Sequence, residues 1–263
     1  MSSIEGQGIR PANPAITEPG EATPLDHRPW LGGVFEIGGS VFFHILRKSY
    51  GAGIYCYPSL HYRDDKEARV STITSSFREL LDPSVKLGYT KVKGKDHWRF
   101  QTTGSHVPPL VRSFAEYMPS RAIMVNAFQE WEQVDMARRA EIGQSMSGRT
   151  RSDVTVEQYR ALLQNPNFLA GVIDCRGGWL PHPSEERDYI SPLWIITSTN
   201  KSLLDALQIE FGGNVHPAVY AEKGLPDEEI NSFSWIVENK KVLGQLVLAS
   251  YNFLRFPDQV RFR

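Results

Sequence analysis

In the stretch YCYPSLHYR, residues 55 to 63, alternate positions hold Tyr55, Tyr57, Ser59, His61 and Arg63. A strand sends successive side chains to opposite faces, so these five share one face and Ile54, Cys56, Pro58, Leu60 and Tyr62 share the other. Phenols, an imidazole and a guanidinium in a row suit phosphate oxygens and stacked bases. Arg47, Lys48, Lys91, Lys93, Lys95 and Arg99 stand on what read as the neighbouring strands and their turns, adding positive charge to the same sheet. The chemistry to expect of such a face is non-covalent recognition of nucleic acid; the plainer alternative is a solvated sheet.

Other chemistries find no support in spacing. His44, His61, His97, His106, His182 and His216 have no metal-ligand spacing, and the two cysteines, Cys56 and Cys175, lie far apart, which suits a reducing compartment and argues against structural zinc. GQSMSG, residues 143 to 148, lacks the second flanking glycine and the preceding strand of a nucleophile elbow. The glycine pairs lack the spacing of a phosphate loop, and the Asn200-Lys201-Ser202 glycosylation pattern falls at a helix start.

The chain has 263 residues, 41% of them hydrophobic, which fits a soluble protein of one large domain or two packed modules. Lys+Arg 29 against Asp+Glu 30 leaves a formal net charge of -1, so any pull on an acidic partner must be local. Residues 1 to 28 are rich in Pro, Gly, Glu and Ser and read as an extended arm, with neither a signal-peptide nor a transit-peptide pattern. No apolar run approaches the roughly 18 residues that span a bilayer, so no membrane partner is expected.

The elements that must position the basic face come in two similar sets. LGGVFE, residues 31 to 36, and LAGVID, residues 169 to 174, share a skeleton of one large apolar residue, two small, two large apolar and an acid, and a glycine pair follows each. Pro29 and Asn167 read as helix starts, Gly38-Gly39 and Gly177-Gly178 as stops. Small residues at a helix crossing let two backbones approach closely, so Gly32, Gly33, Ala170 and Gly171 are expected at an interface between the two helices. After the first helix come strand patterns at 40 to 46, 53 to 63, 88 to 92 and 97 to 103, with a helix behind Asp64-Asp65 that lines up Val70, Ile73, Phe77 and Leu80. A stripe of Met124, Phe128, Trp131 and Val134 closes that half. The second half repeats the order, with a strand at 189 to 199, a helix capped by Asn200 and ended by Gly212-Gly213, a strand at 232 to 239 and a last helix with Val242 and Leu246 inward. The boundaries read as an arm at 1–28, a first module at 29–139, a linker with a short helix at 140–166 and a second module at 167–263.

On these residues the chain resembles the LAGLIDADG homing endonucleases in their single-chain, two-motif form, with LGGVFEIGG and LAGVIDCRG standing for the motif. The resemblance implies an α+β fold of two αββαββα modules related by a pseudo-twofold axis, saddle-shaped antiparallel sheets and a central pair of motif helices. It also implies a monomer with internal symmetry, a nucleic-acid duplex on the concave faces, and an organelle, such as the mitochondrion, as a setting. The family cuts DNA with Mg2+ held by the acid at the eighth motif position of each helix, and some members assist intron RNA splicing.

Here the eighth positions are Gly38 and Arg176. Glycine offers no ligand, and a guanidinium at ~4 Å from a cation is repelled by about 4 kcal/mol at an effective dielectric of 20. No metal and no cofactor are therefore expected. Glu36 and Asp174 lie two positions earlier, turned by roughly 200° on the helix, and read as exposed acids or hydrogen-bond acceptors rather than substitutes. The family also has a basic residue near the start of each closing helix; Ala122 or Ile123 and Phe256 or Pro257 stand there, with Arg121 and Arg255 next door.

The expectation is thus a catalytically inactive protein of this type that binds structured RNA, intron or ribosomal, or duplex DNA. Arg176 is expected to clamp a phosphate, with Arg47, Lys48, Tyr55, Tyr57, His61, Arg63, Lys91, Lys93, Lys95 and Arg99 around it. The second half, with three prolines and an acid excess between 179 and 194, suggests asymmetric binding or a protein partner on that side. The alternatives are an endonuclease that still uses Mg2+ through unusual residues, and a scaffold subunit held by protein contacts.

Overall fold

The computed structural model describes residues 26–47, 54–81, 86–146, 151–183, 190–218 and 232–256. Most of the expected arm and Lys48 lie outside them. The elements run α1 (His27–Ile37), β1 (Ser40–Arg47), β2 (Ile54–Asp64), α2 (Glu67–Leu80), β3 (Tyr89–Lys91), β4 (Trp98–Thr103), α3 (Val107–Arg112), α4 (Ala122–Gln133), α5 (Met136–Ser145) and α6 (Val156–Leu163). They continue as α7 (Pro166–Arg176), β5 (Gly177–Pro183), β6 (Ile190–Ser198), α8 (Lys201–Phe211), β7 (Asn214–Pro217), β8 (Phe233–Val237) and α9 (Lys240–Ser250).

The αββαββα order occurs twice, from α1 to α3 and from α7 to α9. Each set folds its strands into one antiparallel four-stranded sheet, ordered β1-β2-β4-β3 and β5-β6-β8-β7. The helix that completes the first set is α3, ahead of the Met124–Phe128–Trp131 helix that the periodicity marks as the closing one. Its sequence, VPPLVR, hides a helix because prolines are tolerated only in the first turn, which is where Pro108 and Pro109 stand. α5 runs across the 139/140 position at which the sequence reading divides module from linker.

Caps explain the helix starts. Asp26 accepts from the Arg28 amide at 3.0 Å, so α1 begins before Pro29. Asn165, not Asn167, caps α7, accepting from the amides of residues 167 and 168. Asp64 accepts from the Lys66 amide at 2.9 Å ahead of α2, and Ser198 accepts from the Asn200 amide at 3.0 Å ahead of α8, a matched pair of turns. Thr155 and Gln158 form a capping box on α6. After α8, Gly212 and Gly213 take φ of 84° and 86°, a backbone that only glycine enters without strain.

The cores lie behind the sheets. Phe77 stacks on Phe100 at 5.0 Å and meets the edge of Phe35 at 5.4 Å in the first module. Trp194, Trp235, Leu203, Leu207 and Leu246 fill the second, where Leu243 is buried and Val242 is only partly so. The prolines of the second sheet sit where a missing N–H does least harm: Pro181 and Pro183 in edge strand β5, and Pro192 in the part of β6 that pairs with β5 alone.

Candidate nucleic-acid interface

α1 and α7 cross at their glycines. A Cβ on Gly33 would run into the Phe168 carbonyl and the Val172 amide, and one on Gly171 into the Trp30 carbonyl, so each glycine receives the other helix's backbone. Ala170 is wholly buried. Gly32 departs from the expectation: its hydrogen faces Tyr117 of its own module, so it serves the packing behind α1 rather than the crossing.

The crossing brings the helix ends together. A Cβ on Gly38 would press on the Cys175 thiol and stand 3.0 Å from Arg176 Nε. The two eighth positions therefore meet, and what meets is a backbone hydrogen and an exposed guanidinium. This donor set does not fit a divalent cation shared between helices: one side supplies no oxygen and the other a permanent positive charge. Among the described residues no group of three His, Cys, Asp or Glu could hold a metal.

Glu36 and Asp174 are not exposed, contrary to one half of the sequence reading; they are acceptors, as the other half held. Asp174, 1% exposed, accepts from the Trp30 indole at 2.9 Å, the Arg255 amide at 2.8 Å and the Phe256 amide at 3.3 Å. Burial nevertheless pushes its pKa up to about 6, the hydrogen bonds opposing. Glu36, 0% exposed, accepts from the Ser120 amide at 3.3 Å, Asn200 Nδ2 at 3.2 Å and the Tyr159 hydroxyl. Burial raises its pKa too, against the Tyr159 and Ser120 hydrogen bonds and the Arg121 charge. Each acid thus ties its helix to the segment following α3 or α9, and across the pseudo-twofold axis to the other half.

Arg121 and Arg255 also occupy matched places, and both turn inward. Arg121 is 4% exposed and donates to the Gly39 carbonyl at 3.0 Å; burial, then Arg151, lowers its pKa to about 10. Arg255 lies over the Trp30 ring at 4.1 Å and donates to Ser76 Oγ.

The alternation read in β2 holds. Tyr55, Tyr57, His61 and Arg63 are at least partly exposed, whereas Cys56, Pro58, Leu60 and Tyr62 are buried. Ser59 is the exception on its face, buried with its hydroxyl 2.9 Å from that of Thr103 on β4. Tyr57 tilts against Trp131 of α4 at 6.4 Å, which takes part of its ring from the face. Arg63 pairs directly with Arg99 across β2 and β4. Both are exposed, and like charges opposite one another in a ladder destabilise it. His61 stands beside them; burial first, then Arg99, Arg63 and His97, lowers its pKa to about 4, so at neutral pH it is an uncharged hydrogen-bonding group. Lys91 ends β3, and Lys93 and Lys95 are exposed in the turn before β4. Arg47 ends β1, its side chain outside the description.

The structure also adds groups that the strand pattern does not reveal. Asp64, Asp65, Arg69 and His97 share a recess with Arg63 and Arg176. The sequence marks Asp64-Asp65 only as a helix start, and the approach of α7 to the end of β2 is a long-range contact that periodicity cannot encode.

No family model matches the sequence, and no curated protein matches it. Solved structures do match in fold. The I-SmaMI meganuclease bound to uncleaveable DNA with a TTGT central four superposes with a TM-score of 0.62 at 14% identity, over 92% of this chain and 88% of that one. The I-LtrWI LAGLIDADG homing endonuclease bound to target DNA gives 0.60 at 11% identity, over 87% and 84%. I-GzeII, a LAGLIDADG homing endonuclease in complex with its DNA target, gives 0.57 at 12% identity, over 84% and 82%. The chain therefore has the two-module α+β fold of the LAGLIDADG homing endonucleases, with glycine and arginine where its two central helices end.

Proposed function

We propose that this chain binds nucleic acid on the sheet face of its first module and does not cut it. The observation that carries the reading is the meeting of Gly38 with Arg176 at the helix ends, which replaces a place for a cation with a place for an anion. The Arg63–Arg99 pair supports it, since two guanidiniums face to face in a ladder are tolerable when a phosphate lies between or above them. Solved proteins of the same fold are bound to DNA. Structured RNA is the class we favour for this chain, with intron or ribosomal RNA as the natural candidates and Arg176 as a phosphate clamp.

Purified protein incubated with duplex DNA or folded RNA and Mg2+ or Mn2+ is expected to retard the nucleic acid in a gel and yield no cleavage product. A cleavage product that forms only with the divalent cation present would overturn the reading. Arg176→Ala is expected to reduce the slope of log affinity against log salt by about one, the signature of one lost phosphate contact. An unchanged slope would remove Arg176 from the interface.

Arg99→Ser is expected to move two properties in opposite directions. The free protein gains up to ~1 kcal/mol as the like-charge pair with Arg63 is relieved, while affinity for nucleic acid falls. Denaturant unfolding and a binding titration on the same preparation check both signs.

A further inference from the structure

Where β2 runs out against the end of α7, a cavity of about 360 Å³ opens between the ends of the two elements. Arg63, Asp65, His97 and Arg176 line it, with the Asp64–Arg69 ion pair as its wall. Its size lies at the low end of the ~300–1,000 Å³ range of small-ligand sites. Among the described residues the matching positions of the other module carry no charge. Counting back from the helix caps Lys66 and Asn200 places Thr197, Ser198 and Thr199 opposite Arg63, Asp64 and Asp65, and Gly38 stands opposite Arg176.

The lining is too mixed for a plain phosphate seat. Asp64 is occupied, accepting from Tyr62 at 2.9 Å, the Lys66 amide at 2.9 Å and Arg69 at 3.1 Å. Asp65 is exposed, has no ion-pair partner among the described residues, and shares a hydrogen bond with the Asp64 carboxyl that raises its pKa, leaving its outer edge toward the recess for a donor. A second carboxylate on a face that meets phosphates is repelled by them unless a donor faces it. The donors that a nucleic acid carries are base N–H groups and, in RNA, single 2′-hydroxyls; guanine alone presents two donors side by side to one carboxylate. In a duplex that edge is consumed by pairing, so the base must leave the stack to offer it. Arg63 and Arg176, also without ion-pair partners among the described residues, lie within the same cavity for its phosphate, and the half-buried His97 supplies a ring on which a base can stack.

We propose that this recess holds one extruded nucleotide of the bound nucleic acid, a guanine with its pairing edge on Asp65 and its phosphate between Arg63 and Arg176. The inference rests on the nucleic-acid-binding reading above and deepens it: the preferred ligand is a strand with an unpaired nucleotide, such as a bulged RNA stem, held on the side of the first module.

The full chain is titrated, by fluorescence anisotropy at fixed salt, with RNA hairpins that are identical except for a single bulge walked along the stem: none, G, A, C, U or abasic. A G bulge at one position is expected to bind about tenfold tighter than the A bulge or the fully paired stem. Asp65→Asn is expected to bring the ratio of G-bulge to A-bulge affinity to about one, and Asp65 is exposed enough for the variant to fold. Equal affinity for all hairpins, or an Asp65→Asn effect that is the same on paired and bulged stems, overturns this inference alone. No salt-dependent binding to any hairpin overturns the nucleic-acid reading and this one with it.

Discussion

Gly171→Leu is expected to destroy the cooperative unfolding transition of this protein or to lower its stability by about 4 kcal/mol or more. The leucine would have to stand where the Trp30 carbonyl of α1 lies against α7, and Gly33 makes the reciprocal contact against the Phe168 carbonyl. Backbone cannot give way as a side chain can, so the helices must part, and with them the layer of fully buried groups on either side, including Leu31, Val34, Val172 and Ile173. An effect of that size is a large share of the ~5–15 kcal/mol that holds a domain folded. Gly244→Ala provides the contrast. Gly244 is an exposed residue within α9 with nothing within 4 Å of the added carbon among the described residues, and alanine there is expected to stabilise by ~0.5–1 kcal/mol through helix propensity. Urea unfolding of the two variants and the parent, followed by circular dichroism, decides the matter; a Gly171→Leu protein with a near-parental midpoint would mean that the helices do not cross as described.

The second large effect is tied to pH. Asp174→Ala removes the acceptor of the Trp30 indole and of the Arg255 and Phe256 amides. An orphaned buried donor is worth about 1–3 kcal/mol, so a loss of roughly 3–6 kcal/mol is expected at pH 7, reduced by whatever the buried charge itself was costing. That last part is measurable separately. The folded carboxyl titrates near 6, whereas an unfolded aspartate titrates near ~3.9. The folded state therefore holds this proton more tightly, and the stability so contributed is complete below pH ~4 and lost as pH rises through 6, about 3 kcal/mol in all. Asp174→Asn should erase this dependence. Unfolding free energies of parent and Asp174→Asn, measured from pH 4 to 7, are expected to differ by an amount that changes across that window; a constant difference would show that the carboxyl stays ionised throughout.

Much of this architecture was legible before the structure. The strands at 40–47, 54–64 and 98–103 announce themselves by period-two alternation, the helix behind Asn200 by its cap and apolar stripe, and α2 by its stripe alone, since Lys66 and neither Asp64 nor Asp65 stands at its N-cap. The repeated small pairs in LGGVFE and LAGVID revealed that two helices could approach closely, and Gly33 and Gly171 do so. Which glycine faces which neighbour was not legible, because Gly32 and Gly33 differ by one ~100° step and only the placement of Tyr117 decides. Of the two readings of Glu36 and Asp174, acceptor holds and exposed does not, for a related reason. An acid near a helix end is ordinarily exposed, and the donors that make burial tolerable come from 84 positions away at Ser120 and 81 at Arg255. α3 was lost to its two prolines, which deter a helix reading everywhere except in the first turn. In the candidate interface, charge and alternation marked Arg63, Arg99 and His61, but the recess formed with Arg176 depends on how α7 meets the first sheet.

Behind each sheet lies a core, but the centre between the two halves belongs to neither. Trp30 donates to Asp174 across the axis, Glu36 receives Asn200 from the far module, and Tyr159, on the helix that precedes α7, donates to that same glutamate. Two polypeptides made by opening the chain between residues 147 and 150 would thus be complementary fragments, each missing a wall that the other carries. Mixed, they should reassemble into one particle; apart, neither should pass a test of native structure. The doubled sequence is thus expected to unfold as a single cooperative unit, its symmetry sharing one central layer between two copies of a pattern rather than stringing two domains together.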